Sequence, residues 1–116
     1  MIHFSSAAAD PNSPSLDFQT KYEGERAVKA AFPNVTILRP THVFGIDDYF
    51  TSIVRRQATF FFNRFVFVYD DCSTLKQPIR DHDVSRCVLN ALKLDETKGK
   101  TYDLGGPHVL STLDMH

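Results

Sequence analysis

The sequence has no tryptophan, two cysteines and only five glycines in 116 residues, and each scarcity excludes something. Cys72 and Cys87 are too few for a disulfide framework, so a reducing compartment is the default. The glycines, at 24, 45, 99, 105 and 106, nowhere form the Gly-x-Gly-x-x-Gly turn that cradles a dinucleotide pyrophosphate at a helix N-terminus. Neither sign of charge dominates. Thirteen Lys and Arg stand against 14 Asp and Glu, a net charge of −1, and no basic field points to nucleic acid or to an anionic membrane surface. Apolar runs are short. The phenylalanines at 60–62 fall far below the ~20 residues a membrane span needs. Metal-ligand spacing is missing as well: His82 with Asp81 and Asp83, or His108 with His116, match no ligand motif. Residues 1–6 read as a strand and resemble neither a signal peptide nor an Arg-rich transit peptide. The expectation is a cytosolic chain, or one whose targeting segment lies outside these residues.

What is present is an alternation of strand and helix patterns. Residues 2–6 read as a buried strand end. Asp10-Pro11-Asn12-Ser13-Pro14 follows, dense in turn formers. Phe18, Tyr22, Glu25, Val28 and Phe32 recur at steps of three and four, which predicts a helix over 18–32 ended by Pro33-Asn34. Residues 35–39 are β-branched and apolar and suit a buried parallel strand. The sequence then predicts a loop over 40–48, a helix over 49–62, a strand over 65–69 and a short extended segment over 77–79. Asp81 or Asp83 is expected to cap the next helix, in which Val84, Cys87, Val88, Ala91 and Leu92 follow helical spacing. Residues 100–104 read as a strand ended by Gly105-Gly106-Pro107, and 111–114 as the start of a helix.

Strands alternating with helices argue for an α/β fold with a parallel sheet, as a single domain over 1–116. Four strands are too few for a free-standing doubly wound domain, whose parallel strands need both faces covered. The expectation is therefore a partial sheet. Further chain or a partner chain completes it on the N-terminal side, and the domain runs on past His116.

Five segments, in order, carry a family resemblance. They are Ile2-His3-Phe4-Ser5-Ser6, Lys21-Tyr22-Glu23-Gly24-Glu25, Ile37-Leu38-Arg39-Pro40 with Phe44-Gly45, Gln77-Pro78-Ile79 with Asp83-Val84, and residues 99–107. Together they resemble the atypical and extended short-chain dehydrogenase/reductase superfamily. The resemblance implies a partial Rossmann-like sheet with flanking helices, the first half of the nucleotide-binding fold being absent. Residues 9–15, Gly24-Glu25-Arg26-Ala27-Val28, Phe44-Gly45-Ile46-Asp47-Asp48 and Lys76-Gln77-Pro78 resemble one branch of it, the accessory subunits of mitochondrial respiratory complex I. That branch implies a non-catalytic structural role and a structurally held NADPH. It also implies the other complex I subunits of the matrix arm and membrane-arm junction as partners, at the matrix side of the inner membrane. A separate chain supplying the first half of the fold is a further partner on this reading.

The chemistry of the superfamily needs a Tyr four residues before a Lys on one helix, because the ammonium lowers the phenol pKa toward neutrality. The family-like lysine is Lys21, and four residues before it stands Asp17, followed by Phe18. Neither replaces a phenol. A second register, Tyr22 with Arg26, fails because Arg never gives up its proton. No catalytic residue is therefore assigned. The resemblance does imply cofactor contacts. Lys21 matches the lysine that reaches the nicotinamide-side ribose. Ser5 and Ser6 fall at the strand end that holds the family's serine, and Pro40, Thr41 and Val43 line the nicotinamide pocket. The plainer alternatives are a solvated helix lysine, strand-end capping and a proline-fixed loop.

Glu25 lies on the apolar stripe of its helix and Arg39 ends the following strand, so a buried Glu25–Arg39 pair is expected. Cys87, on an apolar helix face, reads as core, and Cys72, beside Asp71, as an unreactive thiol. The aromatic stretch over 60–68 is either core or a docking surface for a large partner. Two rivals to the accessory subunit stay open. One is a fragment of an active reductase or epimerase on nucleotide sugars. The other is an NmrA-like regulatory protein that binds NADPH without turnover.

Overall fold

The structure, a computed structural model, describes residues 1–45 and 75–111. The helix expected over 49–62, the strand over 65–69, the aromatic stretch over 60–68 and Cys72 lie outside the described residues.

The centre of the fold is a three-stranded parallel sheet. Strand β2 (Thr36–Pro40) lies between β1 (Ile2–Phe4) and β6 (Thr101–Leu104). The register sets His3 opposite Ile37 on one side and Arg39 opposite Asp103 on the other. Val35, Ile37 and Leu38 are at most 2% exposed, as expected of an apolar central strand covered on both faces. Helix α1 (Leu16–Ala31) connects β1 to β2. Asp17 in its first turn and Lys29 in its last complement the helix dipole. It closes where the Phe32 N–H donates to the Val28 carbonyl, 2.8 Å away, one residue before Pro33.

The expected stripe is present. Phe18, Tyr22 and Val28 are half-buried and Glu25 fully buried, while Phe32 at the end stays exposed. The pleat of β2 alternates its side chains between two helices. Arg39 reaches Glu25 of α1. Thr36 and Leu38 turn toward helix α2 (Asp81–Lys93) and the short 3₁₀ turn Asp95–Thr97 after it. The sheet is thus wound on both faces, as a partial Rossmann-like α/β fold. Thr97 joins the second layer. Its buried hydroxyl lies 3.0 Å from the Ala91 carbonyl and 2.8 Å from that of Leu94, while its own carbonyl accepts the Thr36 hydroxyl at 3.0 Å.

The outer strands correct the sequence reading in three places. The expected loop over 40–48 holds β3 (Val43–Phe44), paired in parallel with β5 (Ile79–Arg80). Two residues are too few for a period-two pattern to show. Ser111, expected to open a helix, belongs instead to β7 (Leu110–Ser111), antiparallel to β4 (Leu75–Lys76). Neither Asp81 nor Asp83 is the N-cap of α2. Arg80 holds that position, with both acids in the first turn, where the helix dipole favours them. On α2, Val84 is buried and Cys87, Val88 and Ala91 are half-buried, but Leu92 is 66% exposed.

Thr97→Val keeps the shape and removes the hydroxyl from the Ala91 and Leu94 carbonyls. A loss of about 1–2 kcal/mol is expected, read as a lower denaturation midpoint at unchanged slope.

Candidate functional site

Two adjoining features occupy the carboxyl ends of the parallel strands, the place where open α/β sheets bind ligands. The first is buried. Arg39 Nε and Nη2 each donate to one Glu25 carboxylate oxygen at 2.7 Å, a bidentate pair linking β2 to α1. Glu25 is 2% exposed and Arg39 keeps 23% of its side chain at the surface. Burial pushes the Glu25 pKa up. The Arg39 hydrogen bond, the Ser5 hydroxyl, and the charges of Arg39 and Lys29 outweigh it, leaving the carboxyl below its ordinary 4.5. The Glu25 hydrogen bond, against burial and with help from Asp103 and Tyr22, holds Arg39 still more firmly protonated. Ser5 Oγ stands close enough to favour the charged carboxylate, yet it is buried and completes no hydrogen bond of ordinary geometry.

The second feature is an open cleft of about 420 Å³ where β1 and β2 run out. Ser6, Phe18, Thr41, His42, Lys76 and Gln77 line it, with Ala7, Ala8 and Leu75 between them. Backbone bonds fix the rim: Ala7 N–H donates to the Pro40 carbonyl at 3.0 Å and Thr41 N–H to that of Leu104 at 2.9 Å. Thr41 Oγ1 donates to the Gln77 carbonyl at 2.5 Å, and Gln77 Nε2 to that of Gly106 at 2.6 Å. Burial first, and then the charge of Lys76, lower the His42 pKa below 6.5.

Of the six residues expected to contact a cofactor, Ser6 and Thr41 line this cleft, and Pro40 supports it through its carbonyl. Ser5 lies beneath, beside the ion pair. Lys21 is exposed on α1 and Val43 is paired with Ile79 in β3; neither is a lining residue. The sequence reading missed Phe18, His42 and Lys76 as cleft residues. Lys76 and His42 are 34 positions apart and meet only because β4 folds back beside the end of β2. Asp17 occupies the first turn of α1, exposed. Gly105-Gly106 is no phosphate cradle, since a Cβ on Gly106 falls 1.8 Å from the Pro78 carbonyl oxygen, which fills the space a phosphate needs. Among the described residues no group of three or more His, Cys, Asp or Glu is placed to hold a metal ion, and no helix is long and apolar enough to cross a membrane.

This architecture is that of the short-chain dehydrogenase/reductase-type Rossmann fold. MoeE5, solved in complex with UDP-glucose and NAD, superposes with a TM-score of 0.78 over 98% of this chain and 44% of its own, at 17% identity. UDP-glucuronic acid 4-epimerase from Bacillus cereus, solved with UDP-glucuronic acid and NAD, gives 0.74 over 97% and 42%, at 19% identity. The sequence comparison is narrower. The chain is 32% identical over 98% of its length to the mitochondrial 40 kDa subunit of NADH-ubiquinone oxidoreductase from Neurospora crassa. It is 34% identical over 92% of its length to subunit 9 of the NADH dehydrogenase (ubiquinone) 1 alpha subcomplex from Mus musculus, and 33% over 98% to its counterpart from Arabidopsis thaliana, both mitochondrial. It therefore resembles this complex I subunit over nearly all its residues, while spanning only 28–29% of the length of those three relatives. No family model matches the chain.

Glu25→Gln keeps the size and removes the charge facing Arg39. A loss of about 1–3 kcal/mol near neutrality is expected. Because the folded carboxyl titrates below its unfolded value, the wild-type contribution is complete above pH 4.5 and fades as pH falls through the lower, folded value. The gap between variant and wild type in urea denaturation should narrow in that acid window; a gap independent of pH would exclude the pair as its source.

Proposed function

We propose that this chain is a non-catalytic part of respiratory complex I, a single partial domain over 1–116 at the matrix side of the mitochondrial inner membrane. The observation that carries this reading is its likeness, over 92–98% of its residues, to the mitochondrial alpha subcomplex subunit 9 and 40 kDa subunit. The missing dyad supports the non-catalytic role. Asp17 stands where the superfamily's phenol would be, and a carboxyl group is no replacement for that phenol. Its partners are the other complex I subunits of the matrix arm and its junction with the membrane arm. The first half of the Rossmann fold, from further chain or from a separate chain, completes the sheet along β1. That strand pairs on one side only among the described residues, and Phe4 is 47% exposed.

The cofactor that fits is NADPH held structurally, and the fit is partial. Ser5, Ser6, Lys21, Pro40, Thr41 and Val43 are the residues proposed to hold its nicotinamide side. Ser6 and Thr41 supply hydroxyls in the cleft, Pro40 fixes the rim, and Ser5 anchors the strand end below. The pyrophosphate needs donors from the missing first half. A bound dinucleotide brings hydride chemistry, and these residues bring position without the superfamily's phenol.

Native-gel separation of mildly solubilised mitochondria tests the assembly. The chain, located by mass spectrometry, should migrate with the band that stains for NADH dehydrogenase activity; migration as a small free species overturns the reading. The non-catalytic role is tested on the purified protein with NADPH and carbonyl or nucleotide-sugar substrates. Hydride transfer abolished by Lys21→Ala or by Tyr22→Phe would refute it.

A further inference from the structure

We propose that the outer edge of β6 takes up an extended segment of a partner protein as an added strand, one in which large apolar and basic side chains alternate. The first half of the fold is assigned to the β1 edge, and β6 ends the sheet on the opposite side. Two bonds fix which of its backbone groups face β2. Ile37 N–H donates to the Lys100 carbonyl and Thr41 N–H to the Leu104 carbonyl, both at 2.9 Å. The alternation of a strand then directs the backbone groups of Tyr102 toward β2 and those of Thr101 and Asp103 away from it. Among the described residues no strand pairs with that outer side. Such a row of unpaired N–H and C=O groups is a template for another strand.

The pleat gives this edge two unlike faces. On one, Tyr102 and Leu104 share with Leu38 an apolar groove of about 210 Å³, completed by Cys87, Ala91 and Leu94. Leu94 is 47% exposed, so the groove opens to water. Its volume falls below the roughly 300 Å³ at which small-molecule pockets begin, and admits a single large side chain. On the other face Thr101 and Asp103 stand level with Ile37 and Arg39. Asp103 is exposed and forms no ion pair among the described residues; Arg39 feels its charge, but the Arg39 fork is turned to Glu25. A strand added here sets one side chain opposite Tyr102 or Leu104, over the groove, and its neighbour opposite Asp103. The first position favours a large apolar side chain and the second a lysine or arginine. A second copy of β6 is a poor occupant, because a symmetric pair would bring its acid within reach of Asp103. The inference uses neither the NADPH cleft nor the accessory-subunit reading.

The test titrates a capped seven-residue peptide of alternating lysine and phenylalanine into the full-length protein, with amide hydrogen exchange followed by NMR. The Thr101 and Asp103 amides should exchange rapidly in the free protein and slow on saturation. Ala91→Leu fills the groove and should weaken binding about tenfold, the loss of one buried side chain. Asp103→Lys, at an exposed position, should weaken it about fivefold and serves if the Ala91 variant fails to fold. The same peptide with glutamate for lysine should bind the wild type more weakly and the Asp103→Lys variant more tightly. Four results overturn the proposal: no saturable binding, equal affinity for both peptides, Thr101 and Asp103 amides already slow in the free chain (an edge covered by its own residues), or self-association of the protein through β6.

Discussion

A single ion pair fixes how the first helix sits on the sheet. Glu25 occupies the middle of the inward stripe of α1, where an apolar residue would ordinarily stand, and it is almost completely removed from water. A carboxylate there is tolerable only if its charge is met, and the Arg39 guanidinium meets it with two parallel hydrogen bonds. Apolar contacts along the stripe would accept small slides and rotations of the helix. A bidentate fork does not, because moving one partner leaves a buried charge without its counterpart. The pair therefore sets the height and rotation of α1 over β2, and Ser5 places the end of β1 at the same point. Three elements converge there, directly beneath the cleft.

The other face of β2 is held by different means. Thr36 and Leu38 look toward α2, and the contact is closed by Thr97 rather than by a charge. One hydroxyl meets two carbonyls at the end of α2, and the neighbouring carbonyl takes a hydroxyl from the strand. Polar groups thus supply direction on both faces while Val35, Ile37 and Leu38 supply the apolar burial between them. The cleft follows from this arrangement. The strands are parallel, so their carboxyl ends finish on one side of the sheet, and the loops that leave them, with β4 returning, enclose the space between.

The ion pair was legible in the sequence because it breaks a pattern. A glutamate in register with Phe18, Tyr22 and Val28 has to be paired if it is buried, and Arg39 at the end of the next strand is the nearest cation on a buried element. The helices and central strands were legible for the ordinary reason that their periods run over enough residues. What stayed hidden was short or distant. Strands β3 and β5 have two residues each, and their pairing depends on a partner that local pattern cannot name. Ser111 reads as a helix start by composition, but pairing with Leu75 satisfies the backbone there. The cleft is the clearest case. Thr41 and Ser6 could be reached through the family resemblance, whereas the approach of Lys76 to His42 exists only in three dimensions.

On the proposed reading, a fold of this class serves as a brace rather than an enzyme, and the first turn of α1 is where the two would differ. The superfamily's chemistry needs a phenol and a lysine stacked on one helix face near the cleft. Here the position four residues before Lys21 is the first turn of α1, where Asp17 suits the helix dipole and its exposure to water. An acid in that place stabilises the helix end and is not the phenol the chemistry needs. Phe18, one residue on, lines the cleft with an apolar ring. On the proposed reading, the parts of the fold that hold a ligand in place are kept and strengthened by the rigid mounting of α1 on β2, while the part that would transform it has been given over to helix stability. A site so built rewards occupancy with rigidity, because a ligand bound at the carboxyl ends of β1 and β2 stabilises the same junction that the Glu25–Arg39 pair holds from below.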